Sequence, residues 1–195
     1  VLERQAALVA QWMSVGFIHG VMNTDNMALS GETIDYGPCA FMDRYDPSTV
    51  FSSIDRHGRY AYGNQPDIAH WNLARLAEAL LPLWHEDREE SVTRAEEALA
   101  RFPTSFQRQW LARFRSKIGL SNEEDDDRAL IDDLLVWMRK ERADFTMTFV
   151  DLALLAKPPL SDVPAPDGPP PAWLDRWRSR LARQPEAGAG AFDLM

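Results

Sequence analysis

The sequence is short of cysteine, of positive charge and of long apolar runs. Its single cysteine, Cys39, cannot form an internal disulfide, so a small disulfide-stapled fold is excluded. No apolar run approaches the roughly 18 residues of a membrane-spanning helix, and we expect no membrane partner. The 21 lysines and arginines stand against 30 aspartates and glutamates, for a net charge of −9. That balance argues against binding a nucleic-acid backbone, which needs clustered positive charge.

The composition is that of a globular protein with a core of its own. Of 195 residues, 45% are hydrophobic and 26% are charged, which predicts one domain, or a domain with a tail. The chain opens at Val1 within an apolar pattern and without a methionine. We therefore expect it to be part of a longer protein.

Helical spacing of apolar residues dominates the chain and predicts a mainly α fold. Pro66 suits the first turn of one helix, Asp144 is a predicted cap of another, and Trp71 is predicted to lie in the core. Ser121 and Glu124 form a capping-box pattern, so the acidic run 123–127 is interpreted as a solvated helix start. The predicted helices cover residues 1–20, 66–84, 87–102, 103 to about 114, 122–141 and 144 to about 155.

Two stretches depart from the helical pattern. Residues 27–35 alternate around Gly31 and predict a small β-hairpin, with Gly31 at the first central position of its turn. Residues 38–65 are irregular and rich in aromatic side chains, which is typical of a long, packed, functional loop.

The composition changes after residue 156. Seven prolines fall within residues 157–172, which predicts an extended linker. A short helix carrying Trp173 and Trp177 is expected to dock within 173–195, followed by a mobile tail. Residues 1–156 would then form the main domain.

Three polar residues are the strongest candidates for chemistry. Asp25 and Asn26 follow the first helix, and Asp35 lies at the far end of the predicted hairpin. Because a tight hairpin brings its ends together, two carboxylates and an amide oxygen would converge. Such oxygens suit Mg²⁺ with phosphate oxygens completing its shell. Local backbone hydrogen bonding is the ordinary alternative for loop Asp and Asn.

The order of these residues resembles the catalytic region of protein kinases, in which a helix, a loop with Asp and Asn, a hairpin and a metal-binding Asp-Phe-Gly follow one another. Here Asp25 and Asn26 are adjacent, which departs from the kinase spacing, and Asp35-Tyr36-Gly37 stands at the last position. The motifs with this altered spacing resemble those of the selenoprotein O family, the YdiU-type pseudokinases. The stretches that carry this resemblance are 19–27 (HGVMNTDNM), 33–38 (TIDYGP), 45–47 (YDP), 58–60 (GRY) and 64–66 (NQP), leading into 71–73 (WNL).

The resemblance implies the large helical lobe of a kinase-like fold and transfer of AMP from ATP to Ser, Thr or Tyr hydroxyls of proteins. Asp25 would be the general base, and Asn26 and Asp35 would hold Mg²⁺ or Mn²⁺. It also implies an upstream nucleotide-binding lobe, with most cofactor-binding residues before Val1. We expect the 195-residue chain alone to be inactive.

Two further residues are candidates with open roles. For His19, a structural role in holding the catalytic loop is favoured over a chemical one. Arg59 lies in a segment equivalent to the kinase activation loop, where it would face a peptide substrate or a phosphate. An ordered surface loop with Arg59 in an ion pair is the equal alternative.

Two other functions stay open beside adenylylation: phosphotransfer by a protein kinase, and a nucleotide-binding scaffold without turnover. The composition, rich in Ala and Arg and poor in Lys, suits a bacterial cytoplasmic protein. The family resemblance implies a mitochondrial location if the source is eukaryotic.

Overall fold

The computed structural model describes residues 1–156 and 168–184. The predicted linker at 157–172 falls largely outside these residues, as does the predicted tail from 185 onward. The described part is mainly helical, which confirms the predicted class. Its elements are α1 (Leu2–Ser14), β1 (Phe17–Ile18), β2 (Ala40–Phe41), α2 (Gln65–Trp84), α3 (Arg88–Leu99), α4 (Phe102–Lys117), α5 (Asp127–Glu141), α6 (Phe145–Ala156) and α7 (Pro171–Ala182), with single 3-10 turns at Thr24–Asn26 and Tyr62–Asn64.

The chain divides into two compact units. The first comprises Val1–Phe41 and Pro47–Trp110, and the second comprises Met42–Asp46 and Leu111–Met195. The proposed site residues all belong to the first unit.

The first helix is shorter than the sequence pattern suggests. It ends at Ser14, and Gly16 takes a φ of 70°, a left-handed conformation that favours glycine. The chain then pairs Phe17–Ile18 antiparallel with Ala40–Phe41. The prediction of a helix to residue 20 was therefore wrong, because buried apolar residues of a short strand continue the apolar pattern of the helix.

The predicted hairpin over 27–35 is reduced to one antiparallel bridge, between Met27 and Thr33. Side chains of α1 bind this segment instead of a longer ladder: Gln5 donates to the carbonyl oxygen of Ala28, and the Trp12 indole N–H donates to the Thr33 hydroxyl across 2.8 Å. The hydrogen-bonded turn runs from Ala28 to Gly31, so Gly31 is its last residue rather than its first central one.

The helix α2 begins where Pro66 predicted, with that proline in its first turn. One face of α2 is buried, including Ile68, Ala69 and Leu73. Trp71 lies elsewhere on α2 and is 42% exposed, so its predicted place in the core was wrong. The prediction for Trp71 failed because helical spacing does not indicate which side of a broad apolar stripe packs against the core.

In the second unit, α7 is held by two buried tryptophans, as predicted. The indole N–H of Trp173 donates to the Leu130 carbonyl across 2.9 Å, and that of Trp177 donates to the Ile118 carbonyl across 2.8 Å. Asp144 caps α6 through its carboxylate, which accepts from the Met147 backbone N–H at 2.8 Å, and this prediction is also confirmed.

The acidic run before α5 is solvated only in part, because Glu123, Asp125 and Asp126 are exposed whereas Asp127 is buried. The helix begins at Asp127, and the Ser121 hydroxyl bonds Gln184 instead of capping. Asp127 is only 1% exposed and lies between two guanidinium groups, with Arg115 at 2.8 Å and Arg180 at 2.7 Å. The error arose because both arginines are distant in sequence.

None of the described helices is both long enough and apolar enough to cross a bilayer.

Candidate functional site

The Thr24–Asn26 turn carries two of the predicted site residues, Asp25 with an exposed carboxylate and Asn26 with a buried amide. Asp25 is exposed, whereas Asn26 is 8% exposed. The side-chain nitrogen of Asn26 donates to the Val21 carbonyl across 3.0 Å. Because its NH₂ group is used in this way, the amide oxygen of Asn26 is the atom left to act as a ligand.

His19 is fully buried and joins three parts of the first unit. Its Nε2 lies 2.9 Å from the Ile34 carbonyl oxygen, and its Nδ1 lies 3.4 Å from the Val21 backbone nitrogen. A carbonyl accepts and a backbone N–H donates, so both contacts assign the proton to Nε2. The backbone N–H of His19 donates to the Gln65 side-chain oxygen at the start of α2. This geometry fits the structural role favoured for His19.

Asp35 has a backbone conformation that few residues adopt. Its φ is 55°, and the Gly37 N–H donates to the Asp35 carbonyl across 2.8 Å. Aspartate and asparagine tolerate the left-handed region better than other non-glycine residues. Such conformations cluster at functional sites, because surrounding contacts must hold them in place. The Asp35 side chain is exposed.

His19 links the two segments that carry the predicted ligands. Asp25 and Asn26 share one turn, and the His19–Ile34 bond attaches that loop to the residue preceding Asp35. Within residues 1–156 and 168–184, no group of three or more His, Cys, Asp or Glu is arranged to hold a metal. The predicted set has only two such residues and an amide, and its oxygen donors suit a hard divalent cation.

Arg59 does not join this set, and no ion pair to it occurs in the described part of the chain. Its guanidinium carbon lies 4.8 Å from the centre of the Trp71 ring. The ion pair considered as an alternative for Arg59 is therefore replaced by a cation–π contact. The next residue, Tyr60, donates its hydroxyl proton to the Asn23 side-chain oxygen across 2.6 Å.

Sequence reasoning missed the polar residues that support the loop. Gln65 is fully buried, accepts from the His19 N–H and donates to the Phe17 carbonyl. Asn72 is 5% exposed and donates to the Met22 carbonyl across 3.0 Å. Both residues fall in stretches that carry the family resemblance, 64–66 and 71–73, and both are polar residues on the apolar pattern of α2, but neither signal indicated their role.

A cavity of about 300 Å³ lies beside the loop in the first unit. Thr24 and Met27 line it together with apolar residues of α2. None of the three proposed chemical residues, Asp25, Asn26 and Asp35, is among its lining. The cavity is therefore not the predicted metal site.

Comparison with known proteins identifies relatives for nearly the whole chain. The family profile described as "Protein adenylyltransferase SelO" matches residues 1–165. A "Protein nucleotidyltransferase YdiU" of Brevibacillus brevis is 59% identical over 95% of this chain and 38% of that protein. Proteins of the same name in Bradyrhizobium diazoefficiens and Bacillus cereus are 56% and 52% identical, over 97% and 100% of this chain.

The chain spans about two fifths of the length of these curated relatives, 38 to 40%. The resemblance noted in the motifs around Asp25 and Asp35 is confirmed by both comparisons. The profile match covers most of the chain and includes every proposed site residue. The chain therefore belongs to the SelO family of protein adenylyltransferases.

Proposed function

We propose that this chain is the part of a protein adenylyltransferase that carries the catalytic base and the metal ligands. The full protein would transfer AMP from ATP to Ser, Thr or Tyr hydroxyls of other proteins. The observation that carries the proposal is the buried His19, which links the Asp25–Asn26 turn to the segment that ends in Asp35. The large lobe of a kinase-like fold is part of the same proposal.

Asp25 is proposed as the general base. Its carboxylate is exposed on the turn, where an incoming hydroxyl can reach it. A protein hydroxyl is a weak nucleophile, and a carboxylate that accepts its proton as the new bond forms lowers the barrier. Attack on the α-phosphorus of ATP then joins AMP to the hydroxyl oxygen and releases pyrophosphate.

Asn26 and Asp35 are proposed as the metal ligands. The Asn26 NH₂ group is held by Val21, which directs its oxygen away from that bond, and Asp35 supplies a carboxylate from a constrained backbone. A Mg²⁺ or Mn²⁺ ion bound there would neutralise negative charge on the phosphates. The 195-residue chain alone is proposed to be inactive, because the nucleotide contacts expected of the family lie in its upstream lobe.

The test uses the full-length protein with ATP labelled separately at the α and γ phosphates, in the presence of Mg²⁺ or Mn²⁺. Label entering protein only from the α position, and lost in Asp35→Asn and Asp25→Asn, supports adenylylation. Asp125→Asn is the matched control, because it removes one exposed carboxylate that belongs to the second unit and is not a proposed site residue. Label only from the γ position contradicts the proposal in favour of a kinase. ATP binding without transfer of either label contradicts it in favour of a scaffold.

A further inference from the structure

Trp71 is an exposed tryptophan flanked by two arginines. Its side chain is 42% exposed on α2, and the guanidinium carbons of Arg59 and Arg75 lie 4.8 and 5.1 Å from its ring centre. A guanidinium over an indole ring is a favourable cation–π arrangement. The arrangement stands out because the chain as a whole carries a net charge of −9.

The two arginines differ in their charge partners. Arg75 pairs with Glu78 at 2.7 Å on the same helix. Across the described residues, no carboxylate lies within ion-pair distance of Arg59. Asp55 is nearby, but its two carboxylate oxygens accept the backbone N–H groups of Arg59 and Tyr60, at 2.9 and 2.7 Å. These bonds fix the backbone of Arg59 while its guanidinium charge stays uncompensated.

The same loop is bonded to the proposed catalytic turn. The Tyr60 hydroxyl donates to the Asn23 side chain across 2.6 Å, and Asn23 precedes Asp25 by two residues. Their Cα atoms are therefore separated by no more than about 7.6 Å. A group bound at Arg59 would thus be held at a fixed position relative to the proposed base.

We propose that Arg59, stacked on Trp71, binds an acidic segment of the protein that receives AMP, close to the modified hydroxyl. This inference rests on the proposed function and names a feature of its substrates. A stacked guanidinium keeps its N–H edge free, and that edge matches a carboxylate in a bidentate geometry. Because carboxylates outnumber lysines and arginines in this chain by 30 to 21, a guanidinium without a carboxylate partner is a distinctive point of contact for such a segment.

The test measures peptide binding separately from transfer. The probes are two fluorescein-labelled synthetic peptides with one serine, which is followed by three glutamates in one and by three glutamines in the other. Their dissociation constants for the full-length protein are measured by fluorescence anisotropy at about 50 mM salt, where screening is weak. We expect the glutamate peptide to bind about fivefold more tightly, as befits one partly exposed charge pair.

Variants assign that preference to Arg59. Arg59→Gln should abolish the preference for the glutamate peptide. Arg59→Lys keeps the charge but loses the planar guanidinium group, and it should retain about half of that preference. Arg101→Gln is the matched control, since Arg101 is an exposed arginine of the same unit, and it should leave the preference unchanged. Circular dichroism verifies that each variant is folded.

Three results would overturn the inference. They are equal binding of both peptides by the unchanged protein, a preference that survives Arg59→Gln, and an equal loss in Arg101→Gln. A rise in the KM for ATP in Arg59→Gln, with peptide binding unchanged, would assign Arg59 to a phosphate instead. If the acidic peptide binds as expected but no AMP is transferred to any protein, the proposed function fails while the acidic docking contact stands.

Discussion

The Nε2–H of His19 donates to the carbonyl oxygen of Ile34 across 2.9 Å. This one bond connects the loop that bears Asp25 and Asn26 with the residue before Asp35. The imidazole is completely buried, and its other nitrogen faces the Val21 N–H. We therefore infer that His19 is a positioning residue, which would act on the proposed site through the backbone.

Replacing His19 should therefore affect both folding and activity. His19→Ala removes a buried ring and leaves the Val21 N–H without its acceptor. We expect the free energy of unfolding to fall by about 2–4 kcal/mol and AMP transfer by the full-length protein to drop. Urea denaturation and the transfer assay measure the two effects. His57→Ala, at an exposed position, should change stability by less than about 0.5 kcal/mol. Equal effects of the two substitutions would contradict the role of His19.

The left-handed backbone of Asp35 predicts different effects of Asp35→Asn and Asp35→Ala on stability. With φ at 55°, Asp35→Asn keeps a residue that tolerates this region, whereas Asp35→Ala does not. We expect Asp35→Asn to alter the unfolding free energy little and Asp35→Ala to lower it by about 1 kcal/mol. Both should abolish transfer if Asp35 holds the metal. Thermal or urea unfolding beside the transfer assay separates strain from chemistry. Residual transfer in the well-folded Asn variant would argue against the ligand role.

Asp127 is expected to dominate the stability of the second unit. It is buried between Arg115 and Arg180, and Asp127→Asn would leave each guanidinium group with only its more exposed partner, Glu123 for Arg115 and Glu124 for Arg180. We expect a loss of about 2–3 kcal/mol in the free energy of unfolding, less than for a buried charge left with no partner. The matched control is Asp133→Asn, which breaks an ion pair with Arg176 whose side chains are both about half exposed. That substitution should cost less than about 1 kcal/mol.

The same network predicts sensitivity to acid. Burial alone would raise the pKa of Asp127, but hydrogen bonds from Arg180 and from the Glu124 backbone outweigh it and hold this pKa below its ordinary value. A carboxyl whose pKa is lower in the folded state stabilises the fold above its unfolded pKa, about 3.9. That contribution is lost as the pH falls through the folded pKa. Urea midpoints between about pH 6 and pH 3 should fall more steeply for the unchanged protein than for Asp127→Asn.

The sequence was informative where local chemistry decides the structure. Pro66 and Asp144 marked helix starts correctly, because a first-turn proline and a capping carboxylate act within four residues. The Asp25–Asn26 and Asp35 motifs were likewise recognisable, since they are short and contiguous.

The rest depended on contacts between distant residues. The burial of Asp127 requires arginines 12 and 53 positions away, and no local pattern reports them. The predicted ladder over 27–35 failed for the same reason, because Gln5 of α1 occupies the Ala28 carbonyl and Trp12 of α1 bonds the Thr33 hydroxyl. Helical spacing placed Trp71 in the core although it is exposed.

Lys117 predicts a stability that increases in alkaline solution. Burial lowers its pKa to about 8, although its ammonium lies 4.2 Å from the centre of the Phe149 ring. The unfolded chain keeps this proton up to about pH 10.4, so between about pH 8 and pH 10 it binds more protons than the folded protein. Stability attributable to Lys117 therefore rises with pH over that interval.

The substitution Lys117→Met should remove this dependence and stabilise the protein at pH 7 by about 1 kcal/mol, because no buried charge needs to be accommodated. Urea unfolding at pH 7 and pH 9.5 measures both effects. The matched control is Lys140→Met, since Lys140 has a side chain that is 79% exposed, and it should keep the pH dependence. If Lys117→Met destabilises the protein at pH 7, the contact with Phe149 outweighs the cost of burial.

Gly31 is expected to be irreplaceable in the segment that leads to Asp35. Its φ is 80°, and a Cβ at this position would lie 2.6 Å from the Cβ of Arg4 on α1. Gly31→Ala therefore combines backbone strain with a steric overlap, and we expect the free energy of unfolding to fall by about 2–4 kcal/mol. Because α1 must shift to relieve the overlap, AMP transfer should fall as well. Gly37→Ala is the matched control, since a Cβ there would meet nothing within 4 Å, and its unfolding free energy should stay within about 1 kcal/mol. Urea denaturation of the two variants decides the matter: equal stability would mean that this segment does not pack against α1 as described.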